Sequence, residues 1–340
     1  MIKLGLVGCG RIAPRHVDAI GHAEGLELVA VCDTVPERAD ELARAAGVPS
    51  YGSQAQMLDG EALDGVVLCT PSGLHARQGI AAAAAGKHVI TEKPMATSMH
   101  DADDLIRACD DARVHLFVVK QNRLNPPIKL LKRAIDKGRF GRLYMANATV
   151  RWTRPQSYYD SDKWRGTWEF DGGCFMNQAS HYVDLIQWLI GPVDRVMAKT
   201  ATLGRQIETE DSGAAVLRFR SGAIGVIEVT VLTYPRNLEG SITVIGETGS
   251  VKIGGVAVNQ IETWQFAEYD DDDREVEQID YAPRDVYGTG HIGYFRNVAA
   301  VLCGEADPDT DGRDGRKSLE LITAIYQSAR KGHEVPLPLR

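Results

Sequence analysis

The sequence places a lysine where a buried strand is predicted to end, in the segment Thr91-Glu92-Lys93-Pro94. A lysine ammonium is a compact proton donor whose pKa falls readily on burial, which suits proton transfer at an alcohol carbon. Glu92 is expected to orient this lysine or to contact a ribose. Lys93 is therefore a candidate for acid–base catalysis, and the alternative is a surface lysine that caps the next helix.

A second group of polar side chains follows two consecutive glycines. If residues 175–190 form one helix, Asn177 and His181 are four positions apart and share one face. The imidazole of His181 can exchange a proton with an alcohol, and Asp184 is expected to hold that imidazole or to cap a neighbouring group. A single histidine in a helix is more often structural, so it is the combination with Lys93 that favours catalysis.

Two glycines, Gly8 and Gly10, follow the first apolar run and precede a helical pattern. Gly8 can make a tight turn, and Gly10 lets a diphosphate approach the backbone at the helix N-terminus. Asp33 ends the second apolar run about 20 residues later, where a carboxylate can bind the adenosine ribose hydroxyls. This spacing predicts a dinucleotide site, and because a carboxylate repels a 2′-phosphate, it favours NAD over NADP.

Residues 151–168 are rich in arginine and aromatic side chains, although the protein as a whole is acidic. Arginines suit carboxylate or phosphate groups, and flat rings can stack on a nucleobase, a nicotinamide or a sugar. The alternative is a buried aromatic cluster with arginines at the surface. Gln121, after the last strand of the first third, is predicted to join the same pocket.

Strand and helix patterns alternate in the first third of the chain, which is typical of a doubly wound parallel sheet. Ligands of such sheets bind at the carboxyl ends of the strands, where the glycine turn, residues 69–75 and Lys93 all fall. We predict a nucleotide-binding domain over residues 1–121.

Residues 122–340 show longer, more polar strands with few helices to cover them, which predicts an α+β domain with a mostly antiparallel, open-faced sheet. The last helix is expected to pack back on the first domain. Apolar residues on both sides of the strand at 224–229 indicate that another copy of the chain covers the open face, giving a dimer or tetramer. The acidic run at 270–273 is predicted to be a solvated loop.

The chain has 340 residues, of which 44% are hydrophobic and 25% charged, as expected for a globular protein of two domains. The net charge of −8 argues against nucleic acid or an anionic membrane as a partner. No apolar stretch reaches the ~20 residues of a membrane helix and no signal-peptide pattern is present, so we expect a cytoplasmic protein. The six cysteines contain no Cys-x-x-Cys pair, and we expect neither a metal site nor a disulfide framework.

The glycine turn, Glu92-Lys93-Pro94 and the segment from Gly172 to His181 together resemble the glucose-fructose oxidoreductase, inositol dehydrogenase and rhizopine-catabolism family, essentially from end to end. The resemblance implies a Rossmann domain that binds NAD, a mixed open sheet used for oligomers, and oxidation of a sugar or cyclitol alcohol by Lys93 and His181. It also implies these cofactor contacts: Gly8, Gly10, Arg11, Ile12, Asp33, Thr70, Pro71, Ser72, His75, Glu92, Lys93 and Gln121.

The chain departs from the family at Asn177, because members usually have an aspartate four residues before the histidine. Asparagine can position a hydroxyl group but cannot take a proton. Lys93 and His181 must therefore share the proton transfer, and which of them is the base stays open.

Residues 8–16, 118–123, 152–156 and 163–169 resemble more narrowly the family members that act on UDP-linked sugar acids. This implies oxidation at C3 of UDP-N-acetyl-D-glucosaminuronic acid, on the way to diacetamido-uronic acid sugars of surface polysaccharides. Trp164 and Arg165 would lie beside the nicotinamide half of the cofactor. The substrate contacts would be Lys93, Arg154, Tyr158, Tyr159, Asn177 and His181.

Two alternatives remain. An inositol or simple-sugar dehydrogenase of the same family would not need so many arginines. A non-catalytic NAD-binding sensor would not need Lys93.

Overall fold

A computed structural model describes residues 1–279 and 288–339. Its contacts separate the chain into two units, one of residues 1–120 and 291–316 and the other of residues 121–290 and 317–340. The domain limits predicted from the sequence stay a prediction. Among the described residues, no helix is both long and apolar enough to cross a membrane.

The first unit contains a parallel sheet with the strand order β3-β2-β1-β4-β5-β6. Its strands are β1 (Ile2–Val7), β2 (Leu26–Cys32), β3 (Ser50–Tyr51), β4 (Gly65–Leu68), β5 (His88–Thr91) and β6 (Leu116–Val118). Its helices are α1 (Ala13–Gly21), α2 (Pro36–Ala46), α3 (Gln54–Gly60), α4 (His75–Ala84) and α5 (Met99–Ala112). Leu4, Leu6, Val66 and Val67 have no exposed surface, as continuous apolar runs require. The predicted doubly wound parallel sheet is confirmed.

The second unit contains an eight-stranded sheet with the order β13-β12-β11-β7-β10-β9-β8-β14. Only β7 and β10 pair in parallel, so the predicted mostly antiparallel sheet is confirmed. The strands are β7 (Leu143–Arg151), β8 (Val193–Ala201), β9 (Ser212–Phe219), β10 (Ile224–Thr230), β11 (Glu239–Gly246), β12 (Gly249–Gly254), β13 (Gln260–Phe266) and β14 (Val335–Pro336). The remaining α-helices of the described residues are α6 (Pro126–Asp136), α7 (Gln156–Asp160), α8 (Gly173–Met176), α9 (Ser180–Ile190), α10 (Asp272–Gln278), α11 (Gly290–Leu302) and α12 (Gly312–Lys331).

Two predictions about this unit are wrong. Residues 175–190 do not form one helix, because α8 ends at Met176 and α9 begins at Ser180. The acidic run is not a solvated loop, because Asp273 receives a 2.7 Å hydrogen bond from Arg139 and Asp270 receives one of 2.7 Å from Lys137. The Arg139 guanidinium lowers the pKa of Asp273 to about 2. These cations lie more than 130 residues away in sequence, so the run itself does not reveal them.

Candidate active site

The glycine turn after β1 packs directly against the loop after β4. Gly8 has a left-handed φ of +94°, and a Cβ added to it would lie 2.8 Å from the carbonyl carbon of Cys69 and the nitrogen of Thr70. A Cβ added to Gly10 would meet no atom within 4 Å. The turn is therefore closed towards the protein at Gly8 and open at Gly10, in front of the first turn of α1, as a diphosphate requires.

Asp33 lies beside the same turn. Its Oδ2 accepts the backbone N–H of Cys9 at 2.8 Å, and its Oδ1 accepts that of Val35, also at 2.8 Å. A carboxylate oxygen has two lone pairs, so each oxygen keeps one for a ribose hydroxyl. The residues present thus fit the adenosine end of a dinucleotide.

His75 connects the loops that follow β4 and β5. Its Nδ1 lies 2.8 Å from the carbonyl oxygen of Pro94, and its Nε2 lies 2.8 Å from that of Thr70. Burial lowers the pKa of His75, and the two carbonyl oxygens oppose that effect. The ring therefore holds the Thr70–Ser72 segment against the segment that carries Lys93.

Glu92 fixes the backbone of Lys93. Its Oε2 accepts the N–H of Lys93 at 3.0 Å, and its Oε1 lies 2.9 Å from Nε2 of His16. His291 contributes a third buried group, with Nε2 3.8 Å from the same Oε1. Burial would raise the pKa of Glu92, but His16 and His291 together hold it well below its usual value.

Sequence reasoning missed His16 and His291, because nothing in the local pattern of α1 or α11 marks them. Together with Glu92 they place three potential metal ligands within 4.8 Å of one another. Histidines that bind metals almost always donate their second ring N–H to an acceptor, whereas Nδ1 of both His16 and His291 is buried without a hydrogen-bond partner. We therefore assign this cluster to holding Glu92.

In the second unit, His181 on α9 lies next to Gln121. The amide nitrogen of Gln121 is 3.2 Å from Nε2 of His181, and both side chains are buried. Two residues that the sequence assigned to the site are thus in contact.

Asn177 lies outside α9, at the C-terminal end of α8, so it does not share a helix face with His181 as predicted. Its amide Nδ2 donates to Oδ1 of Asp171, whose Oδ2 accepts the N–H of Gly166 at 2.7 Å. A carboxylate therefore stands beside the asparagine and fixes its amide. Sequence reasoning missed Asp171, although it directly precedes the two glycines.

The guanidinium of Arg165 lies 4.4 Å from the ring centroids of both Tyr158 and Trp164, and its Nη1 donates to the Tyr158 hydroxyl at 2.7 Å. The guanidinium of Arg154 lies 5.5 Å from the centroid of the Tyr158 ring. Tyr159, by contrast, is only 5% exposed, and burial raises its pKa well above the usual value. The predicted cation and ring cluster is therefore present, with Tyr158 as its accessible tyrosine.

A parallel sheet with a glycine turn and an acidic residue after β2 defines a dinucleotide-binding domain. Residues 2–120 match an oxidoreductase family with an NAD-binding Rossmann fold, and residues 128–252 match the GFO/IDH/MocA C-terminal domain. The chain belongs to this GFO/IDH/MocA oxidoreductase family, and NAD is its cofactor.

Solved structures and curated relatives point to sugar dehydrogenases. The chain is 55% identical to the WlbA dehydrogenase from Bordetella pertussis, solved with NADH and UDP-GlcNAcA, with 100% of this chain and 98% of that chain covered and a TM-score of 0.97. It is 54% identical to the Chromobacterium violaceum enzyme, solved with the same two ligands, with 100% and 96% covered and a TM-score of 0.95. Among curated proteins, it is 28% identical to the myo-inositol 2-dehydrogenase of Thermotoga maritima over 99% of this chain and 98% of that protein.

Proposed function

We propose that this protein oxidises the C3 hydroxyl of UDP-N-acetyl-D-glucosaminuronic acid (UDP-GlcNAcA) to the 3-keto sugar. The observation that carries the proposal is the 54–55% identity, over the whole chain, to two dehydrogenases whose structures hold NADH and UDP-GlcNAcA. As part of the same proposal, the enzyme works in the cytoplasm and its product leads to diacetamido-uronic acid sugars of surface polysaccharides.

The glycine turn and the loops after β2, β4 and β5 would hold the cofactor. NAD, when bound, supplies the hydride acceptor. Asp33 would bind the adenosine ribose, and the backbone at Gly10 would face the diphosphate. We keep the other assigned contacts: Arg11, Ile12, Thr70, Pro71, Ser72, His75, Glu92, Gln121, Trp164 and Arg165.

We assign the hydroxyl proton to Lys93 and His181. The backbone of Lys93 is fixed by Glu92, and the ring of His181 by Gln121, so each unit presents one restrained acid–base group. Such restraint lowers the cost of reaching the reactive geometry. Asn177, fixed by Asp171, would orient a sugar hydroxyl without exchanging a proton.

The cluster of Arg154, Tyr158, Trp164 and Arg165 would recognise the rest of the substrate. UDP-GlcNAcA carries a diphosphate and a carboxylate, which guanidinium groups bind well, and a uracil that stacks on an aromatic ring. Since Tyr159 is buried, we assign the stacking role to Tyr158. A neutral cyclitol offers no anionic group to this cluster, which disfavours the inositol alternative.

We also propose that the protein is a homo-oligomer built on the open face of the eight-stranded sheet. On this face Val216 and Ile224 are 53% and 52% exposed, and Met197 lies opposite Val216. Exposed apolar side chains in neighbouring strands form a continuous patch, which is typical of an interface.

The direct test mixes the purified protein with NAD and UDP-GlcNAcA in single-turnover amounts and follows the absorbance of the reduced cofactor. We expect reduction with this substrate and none with myo-inositol; the opposite result would establish the inositol alternative.

Replacing Lys93 by Ala should lower kcat by about 10²-fold or more while NAD binding persists. Lys87→Ala, which changes a half-buried lysine just before β5, is the matched control. Tight NAD binding without turnover of either substrate would support the sensor.

A further inference from the structure

A buried glutamate outside the cofactor and substrate assignments holds the turn that carries Asn177. Glu210 is 3% exposed, and its Oε1 accepts the backbone N–H of Phe175 at 2.9 Å. A Cβ added to Gly173, whose φ is +94°, would overlap Oε2 of Glu210. The glycine is therefore required because the carboxyl group occupies the space of a side chain at this position.

Tyr326 on α12 completes the contact. Its hydroxyl oxygen accepts the N–H of Met176 at 3.2 Å, lies 2.8 Å from Oε1 of Glu210, and makes its shortest contact with the carbonyl oxygen of Gly172. A tyrosine hydroxyl has one hydrogen and two lone pairs. Since the Gly172 oxygen can only accept, it takes that hydrogen, and the 2.8 Å contact then needs a hydrogen from Glu210.

We propose that Glu210 is a neutral carboxylic acid that donates to Tyr326, and that this pair positions the turn at 172–176 immediately before Asn177 and His181. The part of the proposal that concerns catalysis rests on the proposed function, and the part that concerns the proton does not. Glu210 and Tyr326 are positioning residues, because they act through the backbone of this turn.

The surroundings favour the neutral form. Oε2 of Glu210 is buried without a hydrogen-bond partner, which is costly for a charged oxygen. Burial raises the pKa of Glu210 to about 7, although the hydrogen bond from the Phe175 N–H lowers it. Among the described residues, the titratable groups beside the carboxyl are Tyr326 and the Cys174 thiol, and Asp211 in turn lies near that thiol. The Asp211 carboxylate accepts the backbone N–H groups of residues 203–205.

The first test compares the thermal stability of Glu210→Gln with wild type across pH. The pKa of Glu210 is higher in the folded protein than the ordinary value of 4.5 that holds in the unfolded chain. The protonated carboxyl therefore stabilises the wild type fully below about pH 4.5, and this contribution is lost as the pH rises to about 7. The Tm of E210Q relative to wild type should therefore rise by about 5 °C or more over this interval and level off above it. Glu334→Gln, an exposed carboxylate on the same unit, should show no such trend.

Infrared spectroscopy detects the protonated carboxyl group of Glu210 directly, independently of its effect on stability. Wild type should show a carboxylic-acid C=O band at about pH 6 that fades at high pH and that E210Q lacks. A flat Tm difference together with no such band would overturn the neutral assignment.

Turnover tests the positioning role separately. The ratio of kcat for E210Q to kcat for wild type should rise with pH through about 7, and Tyr326→Phe should lower kcat about tenfold with little change in the KM for NAD. If the band and the Tm trend appear but the kcat ratio stays level, the pair does not position the reacting groups. If wild type has no activity towards UDP-GlcNAcA, the proposed function fails while the infrared and Tm results still decide the state of Glu210.

Discussion

The amide nitrogen of Gln121 lies 3.2 Å from Nε2 of His181, with both side chains buried. An amide NH2 group only donates, so in this arrangement Nε2 of His181 accepts and carries no proton. The contact therefore restrains the imidazole ring and occupies the lone pair of Nε2.

Replacing Gln121 by Glu tests whether His181 is the base. A carboxylate at this position would accept from a protonated Nε2 and favour the imidazolium form, which cannot accept a proton. We expect the acid limb of the kcat profile to move to higher pH by about one unit or more. Gln121→Ala, which removes the amide without adding charge, is the control. If the acid limb of the kcat profile does not move in Gln121→Glu, His181 is not the base and Lys93 takes that role.

Arg123 and Asp184 form a buried ion pair that anchors α9. Nε and Nη2 of Arg123 each donate to one carboxylate oxygen at 2.8 Å, and the two side chains are 10% and 3% exposed. Asp184→Asn should destabilise the protein by about 3–5 kcal/mol, because it leaves a buried guanidinium without its counter-charge. Urea unfolding measures this loss. The double variant Arg123→Met, Asp184→Leu should lose less free energy of unfolding, because no buried charge remains without a counter-charge. An equal loss in both variants would contradict this explanation.

Local signals made the first unit predictable and failed at the α8–α9 break. The strands of the parallel sheet are continuous apolar runs, and the glycine turn is a short motif, so both are visible within a few residues. The short helix α8 carries the N–H groups of Phe175 and Met176, which donate to side chains 35 and 150 residues away, and no local pattern reveals these contacts. No glycine or proline at 177–179 marks it.

The candidate site shows the same contrast between features that the local sequence reveals and features that depend on distant contacts. Residue type and spacing predict Lys93, Asn177 and His181 as site residues, and these assignments stay predictions. The groups that restrain their surroundings, His16, Asp171 and Glu210, come from distant parts of the chain or act through backbone N–H groups. Their role becomes visible only when the contacts are known.

Glu92 should stabilise the first unit in a pH-dependent way. Although burial raises its pKa, His16 and His291 hold the value well below the ordinary 4.5, so its contribution is present above about 4.5 and is lost as pH falls further. Glu92→Gln should therefore cost roughly 2 kcal/mol near neutral pH, and the difference from wild type should shrink in acid. Urea midpoints near pH 7 and at several pH values below 4.5 measure it. Glu24→Gln, an exposed residue of the same unit, should show a small and constant difference.

The open face of the eight-stranded sheet is the proposed surface for self-association, and a substitution on it tests this proposal. Ile224 lies opposite Met145 of β7, and Ile245 of β11 pairs with the same methionine, so the three side chains share one face beside Val216. A lysine at position 224 would add a second cation beside Arg218 in the proposed interface, where desolvation of a charge is costly. Ile224→Lys should therefore weaken self-association at least tenfold, about 1.4 kcal/mol, and give smaller species in sedimentation velocity. Leu203→Lys alters a side chain that is 71% exposed but lies outside the strands, so it should leave the assembly intact. Because both variants add the same charge to the same unit, a shift with Ile224→Lys alone would locate the interface on the sheet, whereas equal behaviour of the two would place it elsewhere.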